Sequence, residues 1–257
     1  MIRALHCIFL LLPLLQIPGV RPLAPGEIQD DRGEVRRRAE SFEKLTKDPD
    51  KDADAVAMLD GMIAMFKDSG PRDKARILKS VVASAKVFDT PKDKTKSRNL
   101  PIAAAQHMSG MGTDAIKPIQ ELLADAKVGK EMPRVMPLAA ALVKLGMGTP
   151  EALDSAIKML DDANPRLFVA IAPALATLEL ETQAKRKRAA GALLASSETF
   201  PQRCERGLVG DDKAKFANEG SVAALATLNA LAVQKQPDVA AFKAWFAQNK
   251  DKPWPEK

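Results

Sequence analysis

Apolar residues recur every three or four positions along most of this chain, in stretches that come in pairs. Val56, Leu59, Met62, Ile63 and Phe66 fall on one face of a helix, and Asp68-Ser69-Gly70-Pro71 ends it. A second helix opens at Pro71-Arg72 and carries Ile77, Leu78, Val81, Val82, Ala85 and Phe88 along one side. Ahead of this pair, Val35, Ala39, Phe42 and Leu45 give residues 33–47 a single narrow stripe under a wide polar cover, which suits a helix closing the end of a stack. Residues 89–99 are Lys-rich with almost no apolar side chain and read as a solvated loop; a short helix over 100–108 follows.

The phrase Gly-Met-Gly-Thr then appears twice, at 110–113 and 146–149, and each copy opens a new pair of helical patterns. Thr113 and Thr149 are N-cap candidates, and the glycines before them read as helix stops. Glu-Leu-Leu-Ala-Asp-Ala at 121–126 matches Lys-Met-Leu-Asp-Asp-Ala at 158–163, about 37 residues later. The second helices open alike, at Pro133-Arg134 and Pro165-Arg166, with Asn164 as a cap and Pro71-Arg72 as a third copy. Their inner faces hold Val135, Leu138, Leu142 and Leu145 in one case, and Phe168, Ile171, Leu175 and Leu178 in the other. Beyond them we expect a helix over 182–198, an irregular stretch over 200–220, and a last pair over 221–234 and 238–249. The prediction is an all-α chain of about ten to eleven helices.

A period near 37 built from two helices, with proline at the second helix start and small residues on its inner face, resembles the HEAT/armadillo class of α-solenoids. The resemblance covers about residues 52–249 and is strongest over 110–180. It implies a right-handed α-α superhelix with a protein-binding surface, and it implies no catalytic residues. No tetratricopeptide signature is present, since the chain has no Tyr, and the ankyrin Thr-Pro-Leu-His phrase is missing.

Composition agrees with helices: 46% of the 257 residues are hydrophobic and only 4% aromatic, which favours close helix packing over a β-sandwich. Residues 1–19 combine a positive start with an apolar run from Ala4 to Ile17 and a following Pro-Gly, the pattern of a secretory leader too short to span a bilayer. We therefore expect export to a secreted or periplasmic location, a linker over 20–31, one helical-repeat domain over 32–249, and a charged, Pro-rich tail over 250–257 with Trp254 between two prolines.

Chemistry is thinly supplied. With Cys7 and His6 in the leader, Cys204 and His107 are the one thiol and the one imidazole left for a nucleophile or metal site. Arg203 and Arg206 flank Cys204 in a loop-like context and should lower its pKa somewhat. Gly-Met-Gly-Thr lacks the lysine and the preceding strand of a phosphate loop. No cofactor is expected, and no catalysis.

The formal charge of +6 is a mild bias. The arginines opening the second helices, Arg72, Arg134 and Arg166, would recur at one edge of a stack as a basic ladder. Lys185-Arg186-Lys187-Arg188 is the most basic run; at about 100° per residue only Lys185 and Arg188 share a face, so it reads as a solvated segment more than a patch. Arg72, Arg134, Arg166, Lys185 and Arg188 are thus the candidate partner-binding residues. The expected partner is another protein or an envelope component. Nucleic-acid binding through a basic face, and a HEAT-like lyase or chaperone activity as in phycobilin lyases, are the alternatives.

Overall fold

The structure, a computed structural model, describes residues 30–88, 98–178 and 183–256. The leader over 1–19, most of the linker over 20–31 and most of the loop over 89–99 lie outside the described residues. Among the described residues there are eleven α-helices, four 3-10 turns and no strand. The helices are α1 (Gly33–Thr46), α2 (Asp52–Phe66), α3 (Pro71–Ala85), α4 (Leu100–His107), α5 (Ile116–Ala124), α6 (Met132–Gly148), α7 (Pro150–Met159), α8 (Pro165–Leu175), α9 (Gln183–Gly207), α10 (Asp212–Ala232) and α11 (Val239–Asn249). No helix among the described residues is long and apolar enough to cross a membrane.

Most helices pack against their neighbours in chain order. α1 lies on α2 and α3, which in turn meet α4; then α4 packs on α6, α6 on α8, and α8 on α10. α5 and α7 pack on α6, α7 and α10 flank α9, and α11 lies on α10. The apolar stripes predicted for these helices are the buried ones: Leu59 and Met62, Ile77 and Val81, Leu138 and Leu142, and Phe168 and Ile171 are all essentially without exposure. α1 buries only Val35 and Phe42, as its narrow stripe requires.

Prolines set three helix starts where expected. Pro71 and Pro165 stand first in α3 and α8, and Pro133 is second in α6. Asn164 caps α8 by accepting from the Arg166 amide at 3.1 Å.

The two Gly-Met-Gly-Thr copies, by contrast, do different work. In the first, Gly112 has φ +67°, a left-handed turn that glycine adopts without strain, and it precedes a 3-10 turn over Thr113–Ala115. In the second, Gly146 lies within α6 and touches α7: a methyl there would sit 2.8 Å from the Leu153 amide nitrogen. Neither threonine caps a following helix through its side chain. Thr149 turns its hydroxyl back to the Leu145 carbonyl at 3.2 Å. The shared phrase is therefore one spelling of two physical roles.

The irregular stretch expected over 200–220 is helical. α9 continues through Pro201 to Gly207, and α10 starts at Asp212. Proline inside a helix costs about 3 kcal/mol, so burial on both sides of it has to compensate. Phe200 stacks on Phe168 with ring centroids 4.1 Å apart, and Cys204 is buried one turn later. The glycines that suggested a loop are packing positions: Gly220 lets α10 ride against the Phe200 ring, and Gly207 faces Pro165.

Both ends of the described chain are docked. Asp30, at the end of the expected linker, accepts from the amides of Arg72 (2.9 Å) and Asp73 (3.1 Å) and so caps α3 from a distance in sequence. The tail folds back with Trp254 buried.

Candidate functional site

The basic side chains singled out in the sequence are placed chiefly on the ends of other helices. Arg134 is 9% exposed, donates to the Ala85 carbonyl at 3.2 Å, and stacks its guanidinium 4.2 Å from the Phe88 ring centroid. Arg72 opens α3, whereas Arg134 sits at the closing end of the same helix; at about 1.5 Å per residue these ends are about 20 Å apart. Arg166 lies over the Phe216 ring and 3.7 Å from the Asp212 carboxylate. Arg72 is exposed. The three are not brought together as rungs at one edge.

What the cations do instead is systematic. Arg98 donates to the Thr46 carbonyl at the end of α1, Arg32 to Met65 at the end of α2, and Arg134 to Ala85 at the end of α3. Lys185 reaches Gly146 and Met147 at the end of α6, at 3.0 and 2.7 Å. Arg203 reaches Leu160, just past α7, and Arg186 reaches Leu231 at the end of α10. A helix C-terminus presents unpaired carbonyls and the negative end of the dipole, so a cation from elsewhere in the chain satisfies both.

The run Lys185-Arg186-Lys187-Arg188 is the hub of this scheme. Lys185 holds α6 and Arg188 pairs with Asp154 of α7, consistent with their shared face. Arg186 and Lys187 point the other way, to α10 and to the tail. The expectation of a solvated segment fails at Arg186, which has no exposure at all and donates to Leu231 at 2.9 Å. Burial lowers the pKa of Arg186, and likewise those of Arg134 and Arg203.

Cys204 is not the loop thiol expected. It lies in α9 at 1% exposure, and burial pushes its pKa up, with Arg203 pulling it down by less. His107 ends α4 and meets Asp60 of α2 at 2.7 Å, a link between two helices. Among the described residues no group of three or more His, Cys, Asp or Glu side chains could hold a metal ion.

Open clefts offer the remaining surface. One cleft of about 610 Å³ runs between α1 and α3. Phe42, Ala39 and Ala83 contribute its apolar part, with Glu40 and Glu43 on one side and Arg76 and Lys79 on the other. Arg76 is held in place by Asp73 at 2.9 Å and Asp31 at 3.2 Å. Sequence reasoning missed this cleft because its walls come from helices about 40 residues apart; the narrow stripe of α1 was the one signal that a flank stays uncovered. A second cleft, about 440 Å³, sits beside Gly110 and Gly112, with Ile63, Phe66 and Met111 below and Lys67 and Lys74 at its rim. Compared with family models, with characterised proteins and with solved structures, the chain finds no match.

Proposed function

We propose that this chain is an exported helical-repeat module of the HEAT-like solenoid kind, which binds another protein or an envelope component and performs no chemistry of its own. The observation that carries this reading is the packing order: α4, α6, α8 and α10 each rest on the next, with α5 and α7 alongside, as stacked helix pairs would. A stack of that kind exposes an extended surface instead of a closed pocket. The cleft between α1 and α3 is the part of that surface best shaped for a helical segment, with apolar residues at its base and both charge signs at its rim.

One further observation supports the non-enzymatic side: Cys204, buried and with its pKa raised, is poorly placed as a nucleophile. A nucleic-acid surface draws less support, since Arg134, Lys185, Arg186 and Arg203 donate to helix carbonyls and are not free for phosphates.

The test uses immobilised native chain and an Ala83→Trp variant, which fills the cleft from an exposed position. A native envelope fraction is passed over each. A protein retained by the first and lost by the second, at equal melting temperature, supports the reading. Equal retention on both removes the cleft from it, and retention of nucleic acid with a steep loss in salt would favour the alternative.

A further inference from the structure

Residues 250–256 form a short segment held against α9 and α11, and the manner of holding is that of a peptide site. Gln183, Arg186 and Lys187 stand at i, i+3 and i+4 on α9 and so share one face. All three donate to main-chain carbonyls of the tail: Gln183 to Trp254 at 3.0 Å, Arg186 to Pro255 at 3.3 Å, and Lys187 to Lys252 at 2.7 Å. Main-chain carbonyls are offered by any extended segment, so these bonds select backbone shape and not side chains.

Side-chain selection falls chiefly on Trp254, beside a bond from the exposed Lys252 ammonium to the Asn249 amide oxygen at 3.3 Å. Trp254 is 4% exposed while Asp251, Lys252, Pro253, Pro255 and Glu256 around it are exposed. Its ring meets Trp245 at 5.5 Å and Phe246 edge-on at 5.9 Å, and the Lys187 ammonium lies 5.9 Å over its face. Its indole N–H donates to the Asn249 carbonyl at 3.1 Å. The prolines on either side cannot donate hydrogen bonds, and they hold φ near −65°, which keeps the segment extended at little entropic cost.

The seat also has an unused donor. Arg186 is fully buried, yet its Nε has no hydrogen-bond partner, and among the described residues no carboxylate pairs with it.

We propose that the α9–α11 face is a recognition site for a proline-flanked tryptophan segment of a partner protein, occupied in cis by the chain's own tail. The tail then acts as a built-in competitor. This goes beyond the reading of the chain as a binding module, and it concerns the opposite end of the helix array from the α1–α3 cleft, so either can fail without the other.

The experiment titrates a fluorescent peptide of residues 250–256 into the full chain carrying Trp254→Ala, and into the native chain, by anisotropy. The expected result is saturable binding to the variant and at least tenfold weaker binding to the native chain, because a tethered tail competes at a high effective concentration. A peptide with its own tryptophan replaced by alanine should not bind either. Absence of saturable binding to a variant with native helical circular dichroism overturns the proposal, as does equal affinity for both chains. If the variant does not fold, hydrogen exchange of the tail in the native chain decides: excess peptide must accelerate it, and an unchanged rate overturns the proposal. A concentration-dependent dimer of the native chain that Trp254→Ala abolishes supports the site and names a second copy as the source of the segment.

Discussion

The guanidinium of Arg186 on α9 donates to the main-chain carbonyl of Leu231, 2.9 Å away at the end of α10, from a position with no solvent exposure. An arginine buried this way, with no carboxylate paired to it among the described residues, would be hard to place if it were a lone case. It is one of six cations that close the C-termini of helices distant in sequence. These six cations thus work within the helix array.

Arg186→Ala should accordingly lower stability by about 2–4 kcal/mol, since it strands a buried carbonyl and leaves a void where a long stem packed. Arg186→Met keeps much of the stem and should recover part of that loss. Urea unfolding midpoints measure both; an alanine variant as stable as the native chain would remove the capping scheme.

The two glycines of the second Gly-Met-Gly-Thr copy should respond differently to the same change. Gly146→Ala drives a methyl to 2.8 Å from the Leu153 backbone and should destabilise by about 1–3 kcal/mol. Gly148→Ala, with nothing within 4 Å, should be neutral or slightly stabilising. Thermal unfolding of the pair decides it: equal effects would mean that the glycines act only as helix stops.

Val233 ends α10 in the left-handed region at φ 53°, a conformation that a β-branched residue disfavours by about 1–2 kcal/mol. It is 41% exposed, so little packing is at stake. Val233→Asn should raise stability by roughly 0.5–1 kcal/mol. A lower melting temperature for this variant would contradict the backbone assignment there.

Acid and alkali should act through different groups. The Lys127 and Val128 amides hold the Asp125 pKa below its ordinary 3.8. Its contribution is complete above that value and is lost as pH falls below it, so Asp125→Asn should flatten the acid limb of a stability curve. The Cys204 pKa is raised above its ordinary 9.0 by burial. Its neutral thiol contributes in full below that value and less as pH rises past it, so Cys204→Ala should soften the alkaline limb. The same burial predicts that a thiol reagent labels Cys204 only after denaturation. Rapid labelling of the native chain would contradict it.

Much of the helical framework is legible in the residues themselves. Periodicity of Leu59, Met62 and Phe66, or of Val135, Leu138 and Leu142, marks a buried face because side chains three and four apart share one side of a helix. Pro71, Pro133 and Pro165 mark helix starts because their missing N–H is unpaired there anyway, and Asn164 marks a cap because its oxygen reaches the amide of Arg166. These are local constraints, and the chain carries them wherever it is.

Only the tertiary structure decided where the cations go, what each glycine is for, and that α9 continues through Pro201. Local preference favours a break at Pro201 and an exposed thiol at Cys204. The stacking of Phe200 on Phe168 and the close approach of Gly220 outweigh it, and nothing local encodes either. Arg134 and Arg186 look like surface charge in sequence because the carbonyls of Ala85 and Leu231, 49 and 45 residues away, come within reach only once the helices are packed. Sequence by itself determined the helices and their inner faces; packing determined their contacts, because burial and dipole complementarity act between residues the chain keeps far apart.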